Sequence, residues 1–92
     1  MGRAIVTLKI MPESPSTDLE KLQASCESLV DEFSQGDERQ TKVEPIGFGL
    51  KSINITFVMN EDLGDTEVLE NKISKKDEVA SVEVTDVRRA IG

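Results

Sequence analysis

The 92-residue chain has no histidine, no tryptophan and no tyrosine, and its only aromatic residues are three phenylalanines. Histidine-based acid–base catalysis and histidine-ligated metal sites are therefore excluded. The single cysteine, Cys26, cannot form an internal disulfide, which suits a reducing cytoplasm. No run of about 18 apolar residues is present, so we expect no membrane span. No pair of a nucleophile and a base is visible in the sequence, so we do not expect an enzyme, and we expect neither a cofactor nor a metal.

Basic residues are also few, because 11 lysines and arginines stand against 18 acidic residues, for a net charge of −7. A protein that wraps a phosphate backbone needs a basic face. The charge therefore argues against direct binding of nucleic acid. An acidic surface of this kind favours solubility and is compatible with a basic protein partner.

Hydrophobic periodicity predicts a strand followed by a helix in the first part of the chain. Alternate residues of 3–11 are apolar, the pattern of a half-buried strand. Thr17 and Glu20 have the T-x-x-E spacing of a capping box, so we expect the helix to begin there and to end near Gly36. Its apolar residues recur at steps of three and four and form one stripe: Leu19, Leu22, Cys26, Leu29, Val30 and Phe33. Cys26 is therefore expected to be a core residue rather than a reactive thiol.

Two strands are predicted in the middle of the chain. Residues 39–46 form the weaker one, and Pro45 assigns it to a sheet edge because proline has no N–H for a hydrogen-bond ladder. Residues 52–59 alternate clearly between apolar and polar side chains. The segment "GFG" between these strands is predicted to be their turn.

A second helix and a last strand complete the pattern. We expect Asp65 to cap the helix, and Lys75 and Lys76 to lie in its last turn, where they suit the helix dipole. Residues 79–87 alternate again and predict the last strand.

The order βαββαβ predicts an α+β fold, the ferredoxin-like sandwich. Right-handed crossovers give a four-stranded antiparallel sheet in the order 4-1-3-2, with both helices on one face. RNA-recognition domains of this fold stack bases on aromatic residues of the open sheet face. Here Phe33 and Phe57 are expected to face the core instead, which again argues against nucleic acid. We expect residues 1–92 to form one domain.

The first candidate site is the turn segment of Pro45, Ile46, Gly47, Phe48 and Gly49. A bare phenylalanine between two glycines is open to two interpretations. It folds back onto the edge of the core, or it is an exposed anchor for another protein, since aromatic residues dominate interface hot spots. Flanking glycines would let a partner's surface approach closely.

The second candidate site is the segment "TDVRR", which holds Asp86, Arg88 and Arg89. A basic pair near the end of an acidic chain is either a frayed, solvated tail or a group that reaches into the phosphate or metal site of another protein. The predicted topology places this segment and the "GFG" turn at opposite ends of the sheet, about 30 Å apart. They cannot line one small-molecule pocket, but they can contact two places on one large partner.

The segments "LKIMPESPSTDLEKL", "EPIGFGLKSINI" and "VEVTDVRRAIG" resemble the archaeal translation elongation factor 1-beta family. The resemblance implies a cytoplasmic guanine-nucleotide exchange factor for the GTPase elongation factor 1-alpha. It also implies that Phe48 docks on the GTPase, as the matching phenylalanine does in the eukaryotic exchange domain. That domain has a lysine near its C-terminus that enters the magnesium and phosphate site. Here the region reads "RRAIG", so either Arg88 or Arg89 takes that role or the end of the chain acts differently.

Two other classes of function stay open on the residues alone. One is a regulatory domain that senses a small molecule, for which a dimer with a ligand groove would be the supporting observation. The other is a structural subunit of a larger assembly, in which Phe48 would matter for assembly without affecting nucleotide exchange.

Overall fold

The computed structural model describes residues 2–36 and 38–90 of the chain. Within these ranges the elements follow the predicted order, with one 3₁₀ turn in addition. They are β1 (Arg3–Pro12), α1 (Leu19–Ser34), β2 (Arg39–Gly47), β3 (Leu50–Asn60), a 3₁₀ turn (Glu61–Leu63), α2 (Glu67–Ser74) and β4 (Val79–Ala90).

The strands form one antiparallel sheet in the order β2-β3-β1-β4, which is the predicted order 4-1-3-2. β1 lies in the centre, where Leu8 is opposite Ile55 of β3 on one side and Val84 of β4 on the other. α1 packs on β3 and α2 packs on β4, both on the same face of the sheet. The ferredoxin-like α+β fold is therefore confirmed.

The core lies between the sheet and the two helices. Alternate residues of β1 and β3 are buried against the stripe of α1, where Leu22, Cys26 and Val30 are inaccessible to solvent. The ring of Phe57 is fully buried and meets Phe33 edge to face, with ring centroids 6.3 Å apart. Each large apolar side chain buried in this way contributes about 1.5–3 kcal/mol to the free energy of unfolding. The prediction that Phe33 and Phe57 face the core is confirmed.

The prediction that Thr17 caps the first helix is wrong by one residue. The N-cap is Asp18, whose carboxylate accepts a hydrogen bond from the backbone N–H of Lys21 at 3.2 Å. Thr17 belongs to the preceding turn, because its own N–H donates to the carbonyl of Ser14. The helix ends at the left-handed residue Gln35, one position before the predicted Gly36.

The second helix also begins and ends slightly differently from the prediction. Its N-cap is Thr66, although the carboxylate of Asp65 still accepts a hydrogen bond from Glu67 N–H at 3.0 Å. The prediction that Lys75 and Lys76 lie in the last turn is wrong, because the helix ends at Ser74 and these two residues follow it. Their N–H groups bond back to carbonyls of the last turn and close the helix.

β4 runs three residues further than the predicted end at residue 87. Arg88 and Arg89 lie in the strand, opposite Ile5 and Ala4 of β1. The interpretation of these arginines as a frayed tail is therefore wrong. The last two residues of the segment "RRAIG" lie outside the described residues.

A β-bulge explains why the sequence pattern concealed this extension. The register of β4 against β1 shifts between Thr7 and Leu8, so that Thr85 has no directly opposite residue. Val84 and Val87, which are three positions apart, therefore lie on the same face of the sheet. The alternation of apolar and polar side chains is therefore interrupted at Thr85, although the strand continues beyond this residue.

Burial of Cys26 gives the first testable prediction. Desolvation raises the pKa of its thiol from the ordinary value of 9.0 to about 11. At pH 8 about one thiol in a thousand is then ionised, and the side chain is inaccessible to solvent. We expect a disulfide reagent to label the folded protein at least about a hundredfold more slowly than the protein unfolded in guanidinium. Equal rates in the two states would place Cys26 at the surface.

Candidate functional site

The turn between β2 and β3 has an unusual backbone for a phenylalanine. Gly47 lies opposite Leu50, so Phe48 and Gly49 are the two central residues of a tight hairpin. Both have positive φ, 53° and 76°, which is the combination that a type I′ turn requires. Asparagine and glycine suit such turns, whereas a bulky side chain in the left-handed region costs about 1–2 kcal/mol. Phe48 occupies this position at a cost in stability.

The ring of Phe48 gains nothing from the fold to offset that cost. Its side chain is 99% exposed, the most exposed large apolar side chain in the described part of the protein. The alternative in which Phe48 folds back onto the core is therefore excluded for this conformation. A residue that is both strained and exposed is typical of a functional position.

Two sets of contacts fix the position of this turn. The ring of Pro15, in the loop before α1, lies so close to Gly49 that a Cβ atom there would meet it at 3.5 Å. At the other end of β2, the guanidinium of Arg39 bonds to Asp31 at 2.7 Å and to Glu27 at 3.1 Å, both on α1. The hydrogen bonds that Arg39 donates to the carboxylate of Asp31 raise the pKa of its guanidinium, which stays charged. The start of β2 is thus held against α1, and the turn at its other end contacts the loop before α1.

Further apolar side chains are exposed on the same strand. The pairing of β2 with β3 shifts between Pro45 and Gly47, so that Ile46 bulges out of the ladder. Ile46 and Val43 are both exposed, and Pro45 lies on the edge strand as predicted. We call residues Pro45 to Gly49 the hairpin tip. It presents the exposed ring of Phe48 together with the exposed side chain of Ile46.

The second candidate segment lies at the opposite end of the sheet. The Nε atom of Arg88 is 2.9 Å from the carboxylate of Asp86, on the open face. Arg89 lies on the helix side, with its guanidinium 3.1 Å from the carboxylate of Glu61. Both arginine side chains are 76% exposed. Each guanidinium is thus paired with an acid but accessible, and such surface pairs contribute only about 0–1 kcal/mol.

Sequence reasoning missed Glu61. This residue begins the 3₁₀ turn after β3, and its backbone N–H donates to the carbonyl of Gly2 at 2.9 Å. Its partner Arg89 is 28 residues away in the chain. The sequence carries no signal for this pairing, which depends on the tertiary contact between the end of β3 and the end of β4.

The two candidate segments do not form one site. Residue 3 of β1 is opposite residue 90 of β4, whereas residue 10 is opposite residue 53 of β3, next to the hairpin. The length of β1 separates the two ends by about 30 Å, and the molecule is 42 Å long. The hairpin tip and the arginines can therefore act together only on a large partner.

Among residues 2–36 and 38–90, no group of three or more cysteine, aspartate and glutamate residues is placed to hold a metal ion. No helix in these ranges is both long and apolar enough to cross a membrane. A shallow depression of about 320 Å³ lies on the open sheet face and is lined by polar residues: Thr7, Gln40, Lys42, Glu44, Asn54, Thr56 and Thr85.

Residues 5–90 match the EF-1 guanine nucleotide exchange domain. The chain belongs to this family. It is 43% identical to Elongation factor 1-beta of Methanobrevibacter smithii over 89 residues, which are 97% of this chain and 98% of the relative. The protein of the same name from Haloarcula marismortui is 35% identical over 91 residues, with 97% and 99% covered. EF-1-beta membership gives the chain a nucleotide-exchange role in translation elongation, and no reaction of its own is implied.

Solved structures with similar folds have unrelated sequences. The designed protein Foldit4 aligns with a TM-score of 0.65 at 18% identity, covering 98% of each chain. An antibiotic biosynthesis monooxygenase from Bacillus cereus aligns with a TM-score of 0.54 at 12% identity, covering 100% of this chain and 96% of the other. These likenesses extend to the fold alone, so the role of this EF-1-beta family member rests on its sequence relatives and its own surface.

Proposed function

We propose that this protein promotes the exchange of GDP for GTP on the GTPase elongation factor 1-alpha by binding and stabilising its nucleotide-free state. Residues 1–92 act as one exchange domain in the cytoplasm, without a cofactor and without covalent chemistry. The observation that carries the proposal is the hairpin tip. A strained and fully exposed Phe48 on a braced turn has no purpose within the fold itself.

Phe48 acts as the anchor of the complex. Because the turn is fixed before binding, little conformational entropy is lost when the ring enters a pocket of the GTPase. A buried aromatic ring of this kind typically contributes 2 kcal/mol or more to binding. In the proposed complex, Ile46 and the neighbouring backbone form the rim of this contact.

Arg88 and Arg89 act at the other end, near the bound nucleotide. The phosphates of GDP and their magnesium ion form a site at which a guanidinium can bond to phosphate oxygens and compete with the cation. Each arginine would exchange its present carboxylate partner for a phosphate oxygen. Because both side chains are mostly exposed, this exchange costs little. Asp86 and Glu61 hold the arginines in place until then.

The two contacts together have to favour the empty GTPase. By thermodynamic linkage, a protein that binds the nucleotide-free state more tightly weakens nucleotide binding by the same factor. A thousandfold faster release of GDP requires about 4 kcal/mol of such differential stabilisation. The contact at the nucleotide supplies this difference, whereas the Phe48 anchor holds the two proteins together in both states.

The linkage predicts a large difference in affinity between two forms of the GTPase. Titration with GTPase stripped of nucleotide is expected to give a dissociation constant on the order of a thousandfold lower than titration with GTPase saturated with GDP and magnesium. Isothermal calorimetry on both forms measures this ratio. Equal affinity for the two forms would mean that the protein binds the GTPase without acting on its nucleotide.

A further inference from the structure

β4 is an edge strand with an open outer side. In the chain as described, it pairs with β1 on one side only, and no loop or helix backbone bonds to residues 80–89. It extends over 12 residues without proline or glycine. The other edge strand, β2, is protected from pairing by Pro45 and by the bulge at Ile46. β4 is therefore the edge that is more open to another strand.

The bulge at Thr85 restricts how a second strand can pair with β4. Before the bulge the even-numbered residues Val82 and Val84 lie on the helix side, and after it the odd-numbered Val87 and Arg89 do. Residues opposite each other in an antiparallel pair lie on the same face. A second β4 that pairs across the bulge about a two-fold axis must therefore place even-numbered residues opposite odd-numbered ones.

Charge and apolar contact select one of these registers. With residue 85 opposite residue 86 of the second copy, Glu83 is opposite Arg88 on the open face, and Val84 is opposite Val87 on the helix side. The two-fold axis repeats both contacts. Cross-strand pairs of opposite charge and of β-branched residues are favourable.

The neighbouring registers are less favourable. A shift of the second strand by two residues in one direction places Glu83 opposite Asp86, so that two acidic side chains repel each other twice across the axis. A shift in the other direction places Val84 opposite Arg89. Only the central register pairs Glu83 with Arg88 and Val84 with Val87, and its one mismatched pair on the helix side, Val82 opposite Arg89, lies towards the ends of the paired segment.

We propose that β4 is a self-association surface, on which the β4 strand of a second copy pairs antiparallel with residue 85 opposite residue 86. The two sheets join into one continuous sheet. Val87, whose side chain is 61% exposed, is then covered by Val84 of the second copy. Arg88 exchanges Asp86 for Glu83 of the second copy.

The dimer is expected to be weak. A single strand-to-strand contact is small, and each copy carries a net charge of −7, which opposes association. The dimer and the proposed GTPase complex both use Arg88, so each excludes the other. Self-association itself is measured without the GTPase, and the inference therefore does not depend on the proposed function.

Charge-reversed variants test the register. Glu83→Arg and Arg88→Glu each place like charges opposite one another in a homodimer, whereas a mixed dimer of the two variants has opposite charges at both positions. Sedimentation velocity over about 10 µM to about 1 mM covers the range of weak interfaces. We expect the wild type to dimerise in this range, each variant alone to associate about tenfold more weakly, and their equimolar mixture to regain the wild-type behaviour.

A matched control separates the register from net charge. Glu44→Arg makes the same charge change on the other edge strand and reduces the overall repulsion, so it should dimerise at least as well as the wild type. Circular dichroism verifies that each variant is folded. The inference is overturned if the wild type stays monomeric throughout, if the single variants associate as the wild type does, or if the mixture fails to regain association.

Discussion

Replacing Phe48 by asparagine is expected to weaken binding to elongation factor 1-alpha by about 30-fold or more without destabilising the fold. The binding loss follows from removal of the anchor ring. The fold is unaffected because a side chain that is 99% exposed gives up no buried contact. Asparagine also tolerates the left-handed conformation at residue 48, so the free energy of unfolding should rise by up to about 1 kcal/mol. Titration of the GTPase and denaturant unfolding measure the two effects on the same variant.

Two further variants complete this test. Phe48→Ala should lose binding to the same degree but without the gain in stability, because alanine does not relieve the left-handed backbone. Val68→Asn is the matched control, since it removes another exposed apolar side chain, on α2, and should bind normally. Wild-type affinity in Phe48→Asn would contradict the anchor role, and a large loss of stability would return the ring to the core.

Replacing Arg88 and Arg89 together by alanine is expected to slow stimulated GDP release by about tenfold or more, and to weaken binding to the nucleotide-free GTPase much less. The arginines act at the nucleotide, whereas Phe48 still anchors the far end of the sheet. Stability should change by no more than about 1 kcal/mol, because both ion pairs are exposed. Stopped-flow release of labelled GDP at saturating factor, together with a binding titration, separates the two effects.

Magnesium and lysine variants identify how the arginines act. Raising magnesium should slow exchange by the wild type if ion and guanidinium compete for one site. Arg88→Lys and Arg89→Lys should each retain part of the activity if charge suffices, and little if a forked hydrogen bond is needed. The double variant Lys21→Ala and Lys75→Ala removes the same charge from two exposed positions, one on α1 and one directly after α2, and is the control. An exchange rate and magnesium dependence equal to the wild type in the double alanine variant would mean that the end of the sheet acts without the arginines.

The fold was predictable because local pattern and topology agree along most of the chain. The alternation in β1 and the spacing of three and four in α1 each place the apolar side chains on one face, which is buried. Right-handed crossovers then allow only one strand order. The errors lie at element ends. Thr17 and Asp18 are both good caps, and the choice between them depends on the turn formed by Ser14. The end of β4 was hidden because the bulge at Thr85 breaks the alternation on which strand prediction relies.

The candidate site was predictable only in part. The glycines around Phe48 identify a turn, but the exposure of the ring depends on how the loop around Pro15 packs against that turn, which no local pattern specifies. The ion pair of Arg89 with Glu61 joins residues distant in sequence, and single-sequence reasoning has no access to such contacts. The second segment is therefore the end of a strand with paired charges and not a free tail.

The proposed function requires that this protein empty the nucleotide site of elongation factor 1-alpha. The most direct measurement is the rate at which labelled GDP leaves that GTPase in excess unlabelled nucleotide, with and without saturating wild-type protein. We predict an acceleration on the order of a thousandfold, corresponding to about 4 kcal/mol of differential stabilisation. A release rate that stays at its intrinsic value, in the presence of folded protein that binds the GTPase, would contradict the proposed exchange function.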